Sequence, residues 1–305
     1  MPLLEKYRQQ VTLLVRTLPL LTVEREFALK GGTAINLFVR DMLRLSVDID
    51  LTYTPVSSWE QSLAAIDAGM KRIAASIAKS IPNAKASLAK RTENAVTRII
   101  VNNNIAQIKI EVTPVLRGCV YEPKMQSVNT AVEEQFGFAE ANLVSFADLY
   151  GGKIVAALDR QHPRDLFDVR ELLANEGMTD ELRKAFLVYL ISHGRPMHEV
   201  LAPTLKNISA VFANEFEGMT DAPVTVDQLT DARAALLKAA VLQMPDGHRQ
   251  FLIGFELGEP NWELLDLPHI AQLPAVLWRQ KHLNTRNTEQ RAALVAKLRT
   301  ALSGG

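Results

Sequence analysis

The chain has a single cysteine, Cys119, no formal net charge and few aromatic residues. One cysteine excludes an intramolecular disulfide framework and every cysteine-based zinc cluster. A protein that grips nucleic acid over its whole surface is strongly basic. With 34 Lys and Arg against 34 Asp and Glu, any such contact here has to use a local patch. The apolar runs fall well short of the ~20 residues that span a bilayer. Among the leucines of Met1–Leu21 stand Glu5, Lys6, Arg8 and Arg16, which read as an amphipathic helix and not a signal peptide. The expected location is therefore the cytoplasm, without membrane contact. Core-forming material is ample: 48% of the 305 residues are hydrophobic and 22% charged. That excludes disorder as the dominant state and suits one large domain or two ordinary ones.

The pattern changes near residue 145. Before it, strand-like runs alternate with helices; after it, almost everything reads as helix. The short apolar run Glu26 to Lys30 is closed by Gly31-Gly32, and a helix-like segment follows from Thr33 to Leu43. Val47 to Tyr53 alternates apolar and polar residues with period two, as a half-buried strand does. Ser57 to Ile81 reads as a long helix between Pro55 and Pro82. Ala95 to Val101 and Ile105 to Val112 flank Asn102-Asn103-Asn104, a turn-forming triplet that predicts a hairpin. In the second half a helix over Phe146 to Arg160 breaks at His162-Pro163, another runs to about Ala174, and Gly177 sits where a C-terminal glycine belongs. The fold expected is an α/β (α+β) domain with a mixed sheet over 1–145, followed by a mainly α-helical domain over 146–305.

On the strand Val47 to Tyr53, Asp48, Asp50 and Thr52 share one face. Carboxylates at i and i+2 lie roughly 6.5 to 7 Å apart at Cα and can converge on one or two hard cations. Mg2+ prefers oxygen ligands and is usually held by one or two carboxylates plus substrate phosphates. An Asp-x-Asp strand is also an ordinary polar edge, so the surroundings matter. On Ile105 to Val112 the polar face carries Gln107, Lys109 and Glu111, which offers a third acid. Three carboxylates on one sheet face repel unless a cation sits among them. Upstream, Lys30-Gly31-Gly32-Thr33 joins a strand to a helix start, where glycines let backbone N–H groups approach a phosphate. The combination predicts phosphoryl or nucleotidyl transfer.

Leu29-Lys30-Gly31-Gly32-Thr33-Ala34-Ile35 and Arg44-Leu45-Ser46-Val47-Asp48-Ile49-Asp50-Leu51 resemble the AbiEii/AbiGii nucleotidyltransferase toxins of the DNA polymerase β-like nucleotidyltransferase superfamily. In the second half, Ala147 to Arg160 and Pro163-Arg164-Asp165-Leu166-Phe167-Asp168 are similar to that family's Lys-containing helix and Arg-Asp-x-x-Asp segment. The resemblance implies metal ligands at Asp48, Asp50 and Glu111, Glu111 standing where many relatives have Asp. It implies catalytic roles for Lys153 and Asp168, and nucleotide contacts from Lys30, Gly31, Gly32, Thr33, Ser46 and Asp165. Lys153 would place its charge on the triphosphate as negative charge shifts to the leaving pyrophosphate. The helical domain would thus contribute Lys and Asp residues to the nucleotide site. For Arg164, Asp165 and Asp168 the alternative is a helix start with an ion-pair network.

The function implied is that of a toxin in a bacterial toxin–antitoxin, abortive-infection system. It would use Mg2+ or Mn2+ to transfer NMP from an NTP to an acceptor, expected to be the 3′ end of tRNA. Its partner would be a DNA-binding antitoxin encoded by the adjacent gene. A small-molecule nucleotidyltransferase of the antibiotic-modifying type and a catalytically silent nucleotide-binding module are the alternatives. Cys119 reads as packing, and His162 as a turn residue beside Pro163. The acidic run of Glu215, Glu217, Asp221, Asp227 and Asp231 reads as a solvated face. The terminal Arg279, Lys281, Arg286, Arg291, Lys297 and Arg299 form a basic segment that could meet RNA, with Lys85, Lys90, Arg91 and Arg98 next in line.

Overall fold

The computed structural model describes residues 2–93, 95–220 and 222–304; the side chains of residues 2–4 and 91 lie outside that description, as does Asp221. The chain consists of two compact units, Met1–Ser145 and Phe146–Gly305. Among the described residues no helix is long and apolar enough to cross a membrane.

The first unit is built on a mixed sheet. In chain order it contains α1 (Pro2–Leu21), β1 (Phe27–Lys30), α2 (Gly31–Ala34), β2 (Asp48–Tyr53), α3 (Trp59–Ser80), β3 (Lys85–Thr92), β4 (Ala95–Asn102), β5 (Gln107–Val112), β6 (Lys124–Ser127), α4 (Thr130–Phe136) and β7 (Glu140–Leu143). The seven strands run in the order β3-β4-β5-β2-β1-β7-β6. β2 pairs antiparallel with β1 and parallel with β5, while β4 and β5 form the antiparallel hairpin that the Asn triplet predicts. Asn102 Oδ1 accepts from the Asn104 N–H, and Asn103 Oδ1 accepts from the N–H groups of Ile105 and Ala106. The turn is thus closed by the side chains that favour it.

Alternation along the strands decides which face is covered. Ile49, Leu51, Ile108, Ile110, Ile99 and Val101 are buried, with α3 packed against β3 and β4 and α1 against β5 and β7. α3 starts at Ser58, whose hydroxyl accepts from the Gln61 N–H, and its buried Leu63, Ile66, Met70, Ile73 and Ile77 follow the helical repeat. The helix expected over Thr33 to Leu43 is shorter. α2 runs on into a π-helical turn over Ile35–Val39 and stops at Arg40, which is extended. The Arg40 carbonyl accepts from the Asn129 side chain, and the Met42 N–H turns back onto the carbonyls of Asn36 and Arg40. These tertiary bonds replace the ones a longer helix would have made.

The second unit is helical: α5 (Phe146–Arg160), α6 (Pro163–Asn175), α7 (Asp180–Ile191), α8 (Met197–Leu201), α9 (Ser209–Glu215), α10 (Val226–Leu237), α11 (Asp246–Leu257), α12 (Pro274–Asn284) and α13 (Thr288–Ser303). His162 caps α6, its ring accepting from the Arg164 N–H beside Pro163, and its other ring nitrogen faces Glu215 at 3.1 Å. Phe186, Phe216, Phe251 and Phe255 fill the core. The terminal basic segment is smaller than its sequence suggests. Arg279 is buried. Arg291 donates to the Leu257 carbonyl at 3.1 Å and to Asn284 Oδ1 at 3.3 Å, so it ties α13 to the end of α11. On α13, the apolar set Ala292, Leu294, Val295, Leu298 and Leu302 predicts a buried side; Val295, Leu298 and Leu302 are buried, Leu294 is half-buried and Ala292 is exposed.

Candidate functional site

The glycine turn and the first acid strand are one structure. Gly31 has φ +80, and a Cβ built on it would lie 2.5 Å from Asp50 Oδ2. A side chain at 31 is therefore excluded both by backbone conformation and by the carboxylate leaning on the turn. A Cβ on Gly32 would meet Arg44 Nη2 at 2.6 Å and Ser46 Oγ at 2.9 Å. The Thr33 hydroxyl donates to the Asp48 carbonyl at 2.5 Å and lies 3.1 Å from Ser46 Oγ. Asn36 donates to the Gly32 carbonyl at 2.8 Å and accepts from the Arg44 N–H at 3.2 Å. The Ser46 N–H donates to the Tyr7 hydroxyl at 3.2 Å. Lys30, Gly31, Gly32, Thr33, Ser46, Asp48 and Asp50 thus stand together at the ends of β1 and β2.

Gly31→Ala is expected to push Asp50 off the turn. A displacement of about 1 Å at a reacting centre costs ~10² in rate, and an L-residue in this conformation costs about 1–2 kcal/mol of stability. Turnover measured as pyrophosphate release, beside a thermal melt, checks both; unchanged turnover would separate the turn from the chemistry.

The register sets the polar face. Asp50 lies opposite Lys30 on β1 and Glu111 on β5, and Glu111 opposite Arg98 on β4. Asp48 lies opposite Lys109. The three acids are therefore interleaved with three cations from the same sheet. Glu111 is ion-paired with Arg98, and Lys109 Nζ bridges Glu111 Oε2 at 2.7 Å and Asp48 Oδ2 at 3.2 Å. Burial opposes ionisation of Glu111, but its bonds to Lys109 and Arg98 prevail and hold its carboxyl below the ordinary range. Burial likewise disfavours the Lys109 ammonium, and Glu111 and Asp48 outweigh it and hold Lys109 above an ordinary lysine.

The cation required among the three acids is supplied by the chain itself, which bears on how a metal fits. Among the described residues no group of three or more His, Cys, Asp or Glu is arranged to hold a metal ion. Asp48 and Asp50 fit a divalent cation by donor chemistry: both offer oxygens from one face of β2, and nearly half of the Asp48 side chain is exposed. Glu111 is turned to Arg98 and Lys109 instead. The sequence places Lys109 on the polar face and Arg98 among the basic residues without marking either as a counter-ion. Lys109 was legible, two residues before Glu111 on the same face, whereas Arg98 needed the β4–β5 register.

In the second unit, α5 and α6 bring Lys153, Asp165 and Asp168 together. Lys153 Nζ lies 3.0 Å from both Asp165 Oδ1 and Asp168 Oδ2, and Arg160 reaches Asp165 Oδ2 at 2.9 Å. The carboxylates are 5% and 2% exposed and the lysine 10%. Burial opposes the charge on Asp165, but Lys153 and Arg160 overcome it and hold its carboxyl below the ordinary range. These four side chains form an ion-pair network, while Arg164 turns to Glu215 at 3.7 Å. Asp159 faces away, pairing with Arg195 and His193.

A family model described as "Nucleotidyl transferase AbiEii toxin, Type IV TA system" matches residues 12–274. Among solved structures the chain is similar to "MenT4, nucleotidyltransferase toxin Rv2826c from Mycobacterium tuberculosis H37Rv", with 13% identity and a TM-score of 0.56 over 95% of this chain and 91% of that one. At that identity the likeness is one of fold. No curated protein sequence matches the chain. The family match spans the glycine turn, both β2 acids and the Lys153 helix, so the chain belongs to the AbiEii family, the nucleotidyltransferase toxins of type IV toxin–antitoxin systems.

Proposed function

We propose that the protein transfers a nucleoside monophosphate from an NTP to the 3′ end of an RNA acceptor, tRNA, with Mg2+ or Mn2+ held by Asp48 and Asp50. The observation that carries this reading is the contact between Asp50 and the Gly31 turn. A ligand for a hard cation leans on a glycine turn of the kind that receives phosphates, so metal and triphosphate would be received at one place. The cation would supply polarisation of the reacting phosphate and neutralise the charge that moves to the leaving group. Gly31, Gly32 and Thr33 would cradle the phosphates. Thr33, whose hydroxyl also lies 3.1 Å from Ser46 Oγ, fixes the start of β2 by donating to the Asp48 carbonyl. In the transfer the acceptor 3′ oxygen bonds to the α-phosphorus, the α–β anhydride bond breaks, pyrophosphate leaves and the hydroxyl proton is released.

An NTP-dependent toxin acting on tRNA would work in the cytoplasm, and its antitoxin would be the DNA-binding product of the adjacent gene. Purified protein incubated with total RNA, Mg2+ and each labelled NTP in turn tests the reading. Label is expected in tRNA, and none after periodate oxidation of the RNA 3′ ends. Label confined to small molecules would instead favour an antibiotic-type acceptor.

A further inference from the structure

We propose that Lys109 is a resident cation that occupies Asp48 until a divalent metal displaces it, and that Glu111 is a positioning residue for Lys109, not a metal ligand. The inference rests on the reading that Asp48 and Asp50 receive the metal. It starts from two distances: the Lys109 ammonium sits 2.7 Å from Glu111 and 3.2 Å from Asp48. The strands dictate that bridge. β5 runs parallel to β2 with Lys109 opposite Asp48, and antiparallel to β4 with Arg98 opposite Glu111. Arg98 takes one oxygen of Glu111 and Lys109 the other, so the carboxylate is committed on both sides.

Two consequences follow from charge alone. Without a metal the face is already neutralised, which lets three acids share it without an added ion. A divalent ion entering at Asp48 must break the Lys109 contact and then lie close to a positive charge, so metal alone binds poorly. An incoming triphosphate supplies the negative charge that offsets Lys109. Metal and nucleotide therefore bind cooperatively, each raising the affinity for the other by the same factor. Lys109 keeps Glu111 as its partner when it leaves Asp48, which holds its ammonium at the rim of the site instead of releasing it to solvent.

Mn2+ alone is the probe, titrated by electron paramagnetic resonance into the full chain without nucleotide. Lys109→Met is expected to bind Mn2+ about tenfold tighter than wild type, because a competing unit charge has been removed. Lys109→Gln, which keeps a polar head, should tighten in the same direction and serves if the Met variant melts early. The double variant Lys109→Met/Glu111→Gln should keep most of that gain. Unchanged or weaker Mn2+ binding in both Lys109 variants would overturn the resident-cation role. Loss of the gain in the double variant would make Glu111 a ligand and overturn its positioning role. Asp48→Asn separates this from the underlying reading: if it binds Mn2+ like wild type, the metal is not at Asp48, whatever Lys109 does.

Discussion

Asp50→Ala and Asp48→Ala are each expected to slow nucleotidyl transfer by a factor of ~10²–10³ while leaving the fold intact. Charge stabilisation at a transferring phosphoryl group is supplied by few groups in a water-poor site, and losing one costs on the order of 3–4 kcal/mol. The effect on stability is small for a different reason at each position. Asp50 has Glu111 on one side and Lys30 on the other in register, so like and opposite charges largely cancel when it goes. Asp48 loses a Lys109 contact of 3.2 Å at a half-exposed side chain, a class of pair worth about 0–1 kcal/mol. The check is labelled NMP incorporation beside a thermal melt. Full incorporation by Asp50→Ala would remove β2 from the chemistry.

Lys153→Met is expected to act first on stability. Its ammonium sits between two buried carboxylates, each 3.0 Å away, and removing one partner of a buried ion pair costs about 3–5 kcal/mol. Met keeps the apolar stem, so the loss reports the charge. Adding Asp168→Asn to Lys153→Met should recover part of it, because one orphaned charge is then gone. The same network sets an acid limit. Asp165 has a lowered carboxyl in the folded chain, so its contribution is fully present above the unfolded carboxyl range of about 4 and is lost as pH falls below that. Wild-type melting temperature should fall in this window, and Lys153→Met should fall less steeply. If Lys153→Met melts like wild type yet fails to transfer, the ammonium serves the triphosphate, as the family resemblance implied, and not the helix pair.

Much of this was legible in residue order. Period-two alternation locates β2 and β5, the Asn triplet joins β5 to the apolar run of β4 as a hairpin, and Pro163 and Gly177 bracket α6. The local glycine and Asp-x-Asp motifs lie in one short stretch, so the turn and its acids could be joined without knowing the fold. What was hidden depended on pairing between distant strands. β3, with Ala, Ser and Lys in its run, has no strong alternation and is a strand because β4 accepts it as a neighbour. The Arg98–Glu111 pair exists only in the β4–β5 register. Tyr7 reaches Ser46 from a helix that precedes the whole sheet. The terminal basic segment shows the opposite effect: Arg279 is buried and Arg291 is tied to a helix end, while Lys281, Arg286, Lys297 and Arg299 stay exposed.

The sheet is open: among the described residues its two outer strands each pair with a neighbouring strand on one side only. β3 and β6 are those strands. β3 carries exposed Lys85 and Lys90, and its register with β4 slips between Ala89 and Lys90 and again before Thr92. β6 is four residues long, exposed throughout, and begins with Lys124. Charged side chains, irregular pairing and brevity are how a sheet edge declines a further strand, since an added chain would have to desolvate lysines or follow a broken ladder. The architecture that gathers six charges onto one face is thus kept from growing sideways into aggregates by the strands farthest from that face's centre.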